Sequence, residues 1–110
     1  MEIKEAQDVV RAHLEKVGYT KIETTPIHAF LHLIEETGEV ARTLLHQETN
    51  RGSLAYTTEP GKLEEEVADI FWQTLKLASY LELDLESCFI RKYQKNQAKS
   101  RSGSNVVTEK

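Results

Sequence analysis

The chain has 110 residues, 14 basic and 18 acidic side chains for a formal net charge of −4, and 39% hydrophobic residues. This is one domain's worth of sequence, small enough to gain from self-association, and its acidic balance disfavours a nucleic-acid polymer or an anionic membrane as partner, because both reward basic surface. A single cysteine, Cys88, leaves no internal disulfide, the opening Met1–Glu5 has no apolar signal region, and no apolar run approaches membrane-spanning length, so the expected compartment is a reducing cytoplasm.

Ile3, Ala6, Val9, Val10, Leu14 and Val17 recur at spacings of three and four, the period of an amphipathic helix, and Gly18 is a natural stop. Helix one is therefore expected over residues 2–17. After a connector, Thr25 followed by Pro26 reads as an N-cap and a first helical residue, where proline's missing N–H is not needed. Helix two is expected from Pro26 to about His46. Ile27, Phe30, Leu31, Ile34, Ala41 and Leu45 form one stripe on it, and Leu33, Val40 and Leu44 widen the stripe to roughly half the circumference. A helix so apolar packs on more than one neighbour, which points to a homo-oligomer.

Residues 47–61 contain Asn50, Gly52, Ser53, Pro60 and Gly61 with no sustained period, and are expected to be a loop long enough to be functional or mobile. Helix three is expected from Lys62 to Glu82, with Leu63, Val67, Ile70, Thr74, Leu77, Ala78 and Leu81 on one stripe. Leu83 and Asp84 form a short joint, Asp84 serving as N-cap of a helix four that runs from Leu85 to about Lys99 with Leu85, Cys88, Phe89 and Tyr93 apolar. A joint this short predicts that helices three and four are antiparallel neighbours. Residues 100–110 have little to bury and read as a flexible tail behind a single domain of residues 1–99. The expected fold class is all-α, a four-helix-type bundle.

Acids dominate between Glu35 and Glu86, and two short stretches among them stand out: Glu36 with Glu39, and Glu66 with Asp69, each an acid, two residues and another acid, so that on a helix each pair shares a face. Acids at this spacing are common on solvated surfaces. Glu66, however, falls among Leu63, Ile70 and Leu77 on the apolar stripe of helix three, with Asp69 and Gln73 at its edge. A carboxylate there needs a compensating basic side chain or a metal. Carboxylates gathered in one place repel one another, and a hard divalent cation bound through oxygen, magnesium or in its stead manganese, resolves that repulsion. Glu36 and Glu39 lie on the polar face of helix two with His28 and His32, Glu35 flanking, so the two pairs meet only if helix two turns its polar face to helix three. His28, His32 and His46 do not suggest zinc beside so many carboxylates and are expected to be solvated, and Cys88 reads as a small core residue.

The run from His32 to Ala41, then Leu63 to Phe71, then Leu85 to Asn96 resembles the MazG-like family of all-α nucleoside triphosphate pyrophosphohydrolases, over roughly residues 26–99. The resemblance implies a helical bundle that forms a homodimer or homotetramer, with Glu36, Glu39, Glu66 and Asp69 binding magnesium and Glu35 a further acid at the site. It assigns Lys92 and Asn96 to the triphosphate. Lys95 or Lys99, about a turn further along, would add positive charge, although a helix C-terminus favours cations on its own account. The implied reaction is hydrolysis of a nucleoside triphosphate, ribo- or deoxyribo-, to a monophosphate and pyrophosphate, which clears unwanted nucleotides from the pool. A divalent cation suits it, neutralising phosphate charge and easing deprotonation of water. Trp72, Tyr80 and Tyr93 are the aromatic candidates for holding a base, Trp72 being equally suited to a subunit interface. Two alternatives stand beside this reading: an enzyme like phosphoribosyl-ATP pyrophosphohydrolase, and a non-enzymatic helical oligomerisation module.

Overall fold

A computed structural model describes residues 1–17, 25–49 and 61–102. Within them the chain forms four helices, α1 (Ile3–Val17), α2 (Pro26–Thr49), α3 (Lys62–Tyr80) and α4 (Leu85–Ser102), and no strand. The fold class is all-α. The connector at 18–24, most of the expected loop (50–60) and the tail from 103 onward lie outside the described residues. Two helices outrun their expected ends. α2 continues through Gln47, Glu48 and Thr49, none of which breaks a helix, while α4 takes in Ser100–Ser102.

The caps follow the sequence. Thr25 Oγ1 accepts the His28 N–H at 3.3 Å, and its carbonyl accepts the Ala29 N–H. Asp84 accepts the Ser87 N–H at 3.3 Å and the Ser87 hydroxyl at 2.8 Å, and these bonds hold its carboxyl below the usual carboxylate range. Gly61 enters α3 with φ 82°, a left-handed conformation that suits glycine. The far end of α3 departs from expectation, stopping two residues early, at Tyr80. Leu83 N–H reaches the Ala78 carbonyl at 2.9 Å and Glu82 N–H the Ser79 carbonyl at 3.1 Å, a Schellman closure that puts Glu82 at φ 58°. Glycine is the usual residue at that point, so a glutamate there gives no warning of a helix end.

α3 lies between α2 and α1, and α4 rests on α1. The antiparallel pairing expected of α3 and α4 is not formed along their lengths, because the Schellman turn and its link to α1 send α4 away across α1. Val10, Leu14 and Leu75 make the buried core, flanked by Ile3, Ala6, Trp72 and Leu85. Trp72 thus serves the α1–α3 core, where the His13 ring meets it edge-on at 5.3 Å. Buried Gln7 fastens α1 to the joint after α3: its Nε2 donates to the Leu83 carbonyl at 2.8 Å and its Oε1 accepts the Leu85 N–H at 3.2 Å. Gln7→Leu leaves both backbone groups without these partners, and urea melts are expected to show a loss of about 1–3 kcal/mol.

The stripe on α2 is the main surprise. Phe30, Leu31 and Ile34 remain 46%, 56% and 50% exposed, and Ile27 and Leu45 lie outside as well. α2 instead turns Ala29, His32, Glu36 and Thr43 inward, because the facing side of α3 carries Glu66, Gln73 and Lys76, and polar side chains removed from water need polar partners.

Candidate active site

That inward turn satisfies the condition for the two acid pairs to meet, and they line one seam between α2 and α3. At one end Glu66 is 5% exposed, and its Oε1 accepts a 2.8 Å hydrogen bond from the hydroxyl of Thr43, which is fully buried. Its Oε2 lies 3.8 Å from Nζ of Lys62, one turn back on α3. This lysine is about half exposed, so the ion pair is loose and weak. Thr43 went unnoticed in the sequence, although its place seven residues after Glu36, two turns on, aligns it with that face.

At the other end Lys76 is buried on α3, its Nζ 3.0 Å from Nδ1 of His32, and His32 Nε2 lies 3.4 Å from Glu36 Oε2. His32, expected in solvent, is half-buried between a lysine and a carboxylate. His28 is exposed as expected, with Nδ1 3.2 Å from the Thr25 hydroxyl, and His46 is half-buried. Lys76 is the second residue that sequence reading missed, and the signal was its position seven residues after Asp69 on the same face of α3.

Glu36 is the electrostatic focus. Burial, then the negative charges of Glu39 and Asp69, push its pKa up, and His32 opposes them. Its Oε1 is buried with no hydrogen-bond partner, as is Oε1 of Gln73 on α3. Glu39, Asp69 and Glu35 are exposed. The acids line the seam without closing a cage: among the described residues, no three of His, Cys, Asp and Glu stand close enough to hold a cation. The donor set is all oxygen with one buried carboxylate oxygen unsatisfied, which suits a hard cation.

Because the folded state binds the Glu36 proton more tightly than the unfolded chain, stability falls as pH rises between the ordinary glutamate value of 4.5 and the raised folded value. Below that window both states are protonated and the effect ends. In EDTA, thermal melts of wild type should therefore lose stability across the window relative to Glu36→Gln, and the difference should level off above it.

Lys92, Lys95, Asn96 and Lys99 are exposed on α4, which makes no substantial contact with α2. Lys92 borders an open apolar groove of about 430 Å³ with Phe71, Leu85, Cys88 and Phe89. One chain thus brings the acids of α2 and α3 together and leaves Lys92 and Asn96 on another helix. Cys88 is half-buried, Tyr80 is half-buried, and Tyr93 is exposed with its hydroxyl 3.0 Å from Gln97 Nε2. No described helix is long and apolar enough to cross a membrane.

The chain matches the model of the MazG nucleotide pyrophosphohydrolase domain over residues 24–102. Among solved structures it is similar to the candidate pyrophosphatase YPJD of Bacillus subtilis, at 27% identity, with a TM-score of 0.66 and 86% of this chain and 92% of that one covered. No curated protein matches. Members of the family generally depend on a divalent metal, and the match removes the reading as a non-enzymatic module. A chain whose described residues form four helices, whose paired acids line one seam and whose residues 24–102 fit that model belongs to the MazG nucleotide pyrophosphohydrolase family and is a nucleotide pyrophosphohydrolase.

Proposed function

We propose that the protein is a magnesium-dependent nucleoside triphosphate pyrophosphohydrolase, with manganese as a substitute ion, that cleaves between the α and β phosphates and clears unwanted nucleotides in the cytoplasm. The observation that carries this reading is the unpartnered Oε1 of Glu36, buried beside Glu39 and Asp69, since an acid cluster with an unsatisfied oxygen is what a hard cation relieves. Glu36, Glu39, Glu66 and Asp69 would hold the ion, with Glu35 at the rim. Glu66 would keep its bond from Thr43 and exchange the loose contact with Lys62 for the metal. When bound, magnesium supplies charge neutralisation for the triphosphate and a lower pKa for water.

The chain's own part is to hold the carboxylates on one seam and to supply cations for the phosphates. Lys92, with Asn96 and Lys95, meets the phosphate oxygens, ammonium groups being phosphate partners rather than metal ligands. Because α4 leans on α1, a second copy is needed to close the site, and the uncovered stripe of Ile27, Phe30, Leu31, Ile34 and Leu45 is apolar enough to bring it there as a homodimer or homotetramer. The catalytic unit is one domain of residues 1–99. A panel of nucleoside triphosphates with magnesium, read by pyrophosphate release, tests the reaction, and orthophosphate as the sole product overturns it. Sedimentation at micromolar concentration tests the assembly, and a monodisperse monomer rules it out.

A further inference from the structure

Lys76 and His32 neither hold the ion nor meet the phosphates in the proposed reaction, yet they occupy the seam that carries the acids. A lysine ammonium has only protons to offer, so Nδ1 of His32, 3.0 Å from Lys76 Nζ, meets it with a lone pair. The ring proton is thereby assigned to Nε2, which lies 3.4 Å from Glu36 Oε2. That distance is long for an N–H···O bond and leaves room for the contact to tighten. Lys76 is 4% exposed, so its head group is held inside the seam, and the ring it meets spans the gap from α3 back to the acid-bearing face of α2. One oxygen of Glu36 is thus engaged by the ring while the other, Oε1, is buried with no partner.

We propose that His32 is a positioning residue, oriented through Nδ1 by Lys76, which holds one oxygen of Glu36 from Nε2 and leaves the other, Oε1, for the divalent cation. The proposal rests on the metal-site reading above and deepens it. Through this arrangement the charge of a buried lysine is relayed to a carboxylate without an ion pair between them, so Glu36 keeps a free oxygen that a direct Lys–Glu contact would occupy. Outer partners of this kind fix a ligand's orientation, and their loss costs metal affinity more than it alters the reaction itself.

The test is Mn²⁺ binding to the substrate-free full chain, followed by electron paramagnetic resonance of the free ion, together with the Mg²⁺ dependence of pyrophosphate release. His32→Ala is expected to weaken Mn²⁺ binding by about 10- to 100-fold, and to raise the magnesium concentration for half-maximal rate while leaving the saturated rate within a few-fold. His32→Gln, which keeps an N–H donor on a side chain of similar reach, should recover most of the affinity. Lys76→Met should weaken binding in the same direction by releasing the ring. Equal losses in the alanine and glutamine variants, at unchanged helix content by circular dichroism, would assign His32 to packing and overturn the proposal. Unaltered Mn²⁺ affinity in His32→Ala overturns it as well while leaving the metal site intact, whereas absence of saturable binding in wild type overturns the metal reading itself. If Lys76→Met does not fold, the alanine and glutamine pair at His32 decides.

Discussion

Glu66→Gln is expected to lower pyrophosphate release by about 100- to 1000-fold, the scale of removing one electrostatic contact to the reacting centre. The same change should remove most of the magnesium-induced rise in Tm, since a ligand stabilises the fold only through its affinity for the native state. The neighbours of Glu66 make the metal-free result informative. A glutamine keeps a carbonyl oxygen for the Thr43 hydroxyl and gives up only the 3.8 Å contact with Lys62, which is half exposed and free to meet water instead. Without metal, the variant should therefore be as stable as wild type within about 1 kcal/mol, the range of an exposed ion pair. Were Glu66 purely structural, its replacement would lower Tm with or without magnesium and leave the magnesium response in place. That pattern, in a melting series with and without the ion, would sink the assignment of Glu66 to the metal.

Lys92→Ala is the second large expected loss, about 10- to 100-fold in turnover, because an ammonium beside the phosphates stabilises the charge that develops on them, the more so once substrate and a second copy cover its exposed position. Mn²⁺ affinity should stay within about twofold, since a lysine ammonium carries no lone pair to offer a cation. Lys95→Ala, one helical turn away, should have a smaller effect if its charge chiefly complements the C-terminal dipole of α4. Losing metal affinity and turnover together in Lys92→Ala would place this lysine in the acid seam and overturn its assignment to the phosphates.

The legible part of the fold was what local chemistry dictates. Thr25 and Asp84 cap their helices as their side chains require, and the 3.6-residue period located all four helices. The illegible part was set by tertiary partners. The stripe of α2 contained enough apolar residues to be mistaken for an inward face, but it is the opposite side, with His32, Glu36 and Thr43, that meets α3. Leu75, which lay off the stripe assigned to α3, is buried at 2% exposure because α1 covers a second side of that helix. Glu66 could be singled out since a carboxylate among leucines is anomalous in any sequence. Thr43 and Lys76 shared helix faces with Glu36 and Asp69, but that register alone was a weak signal, because a threonine or a lysine in a helix becomes notable only when something across the gap meets it. The end of α3 was hidden for a related reason: the left-handed turn at Glu82 uses a residue that in sequence favours continuing a helix.

The two buried polar contacts across the seam, Thr43 to Glu66 and His32 to Lys76, stand roughly 16 Å apart along α2 at 1.5 Å per residue. Apolar side chains alone tolerate a helix sliding past its neighbour, one leucine taking the place of another. Here a slip of one turn, about 5.4 Å, separates both donors from their acceptors at once and strands them out of water. The two contacts act as rungs that pin the register of α3 against α2 from above and below the acids. Alignment of the two halves of the site is thus all-or-none, and three of the four groups that fix it, Thr43, His32 and Lys76, lie outside the proposed metal ligands.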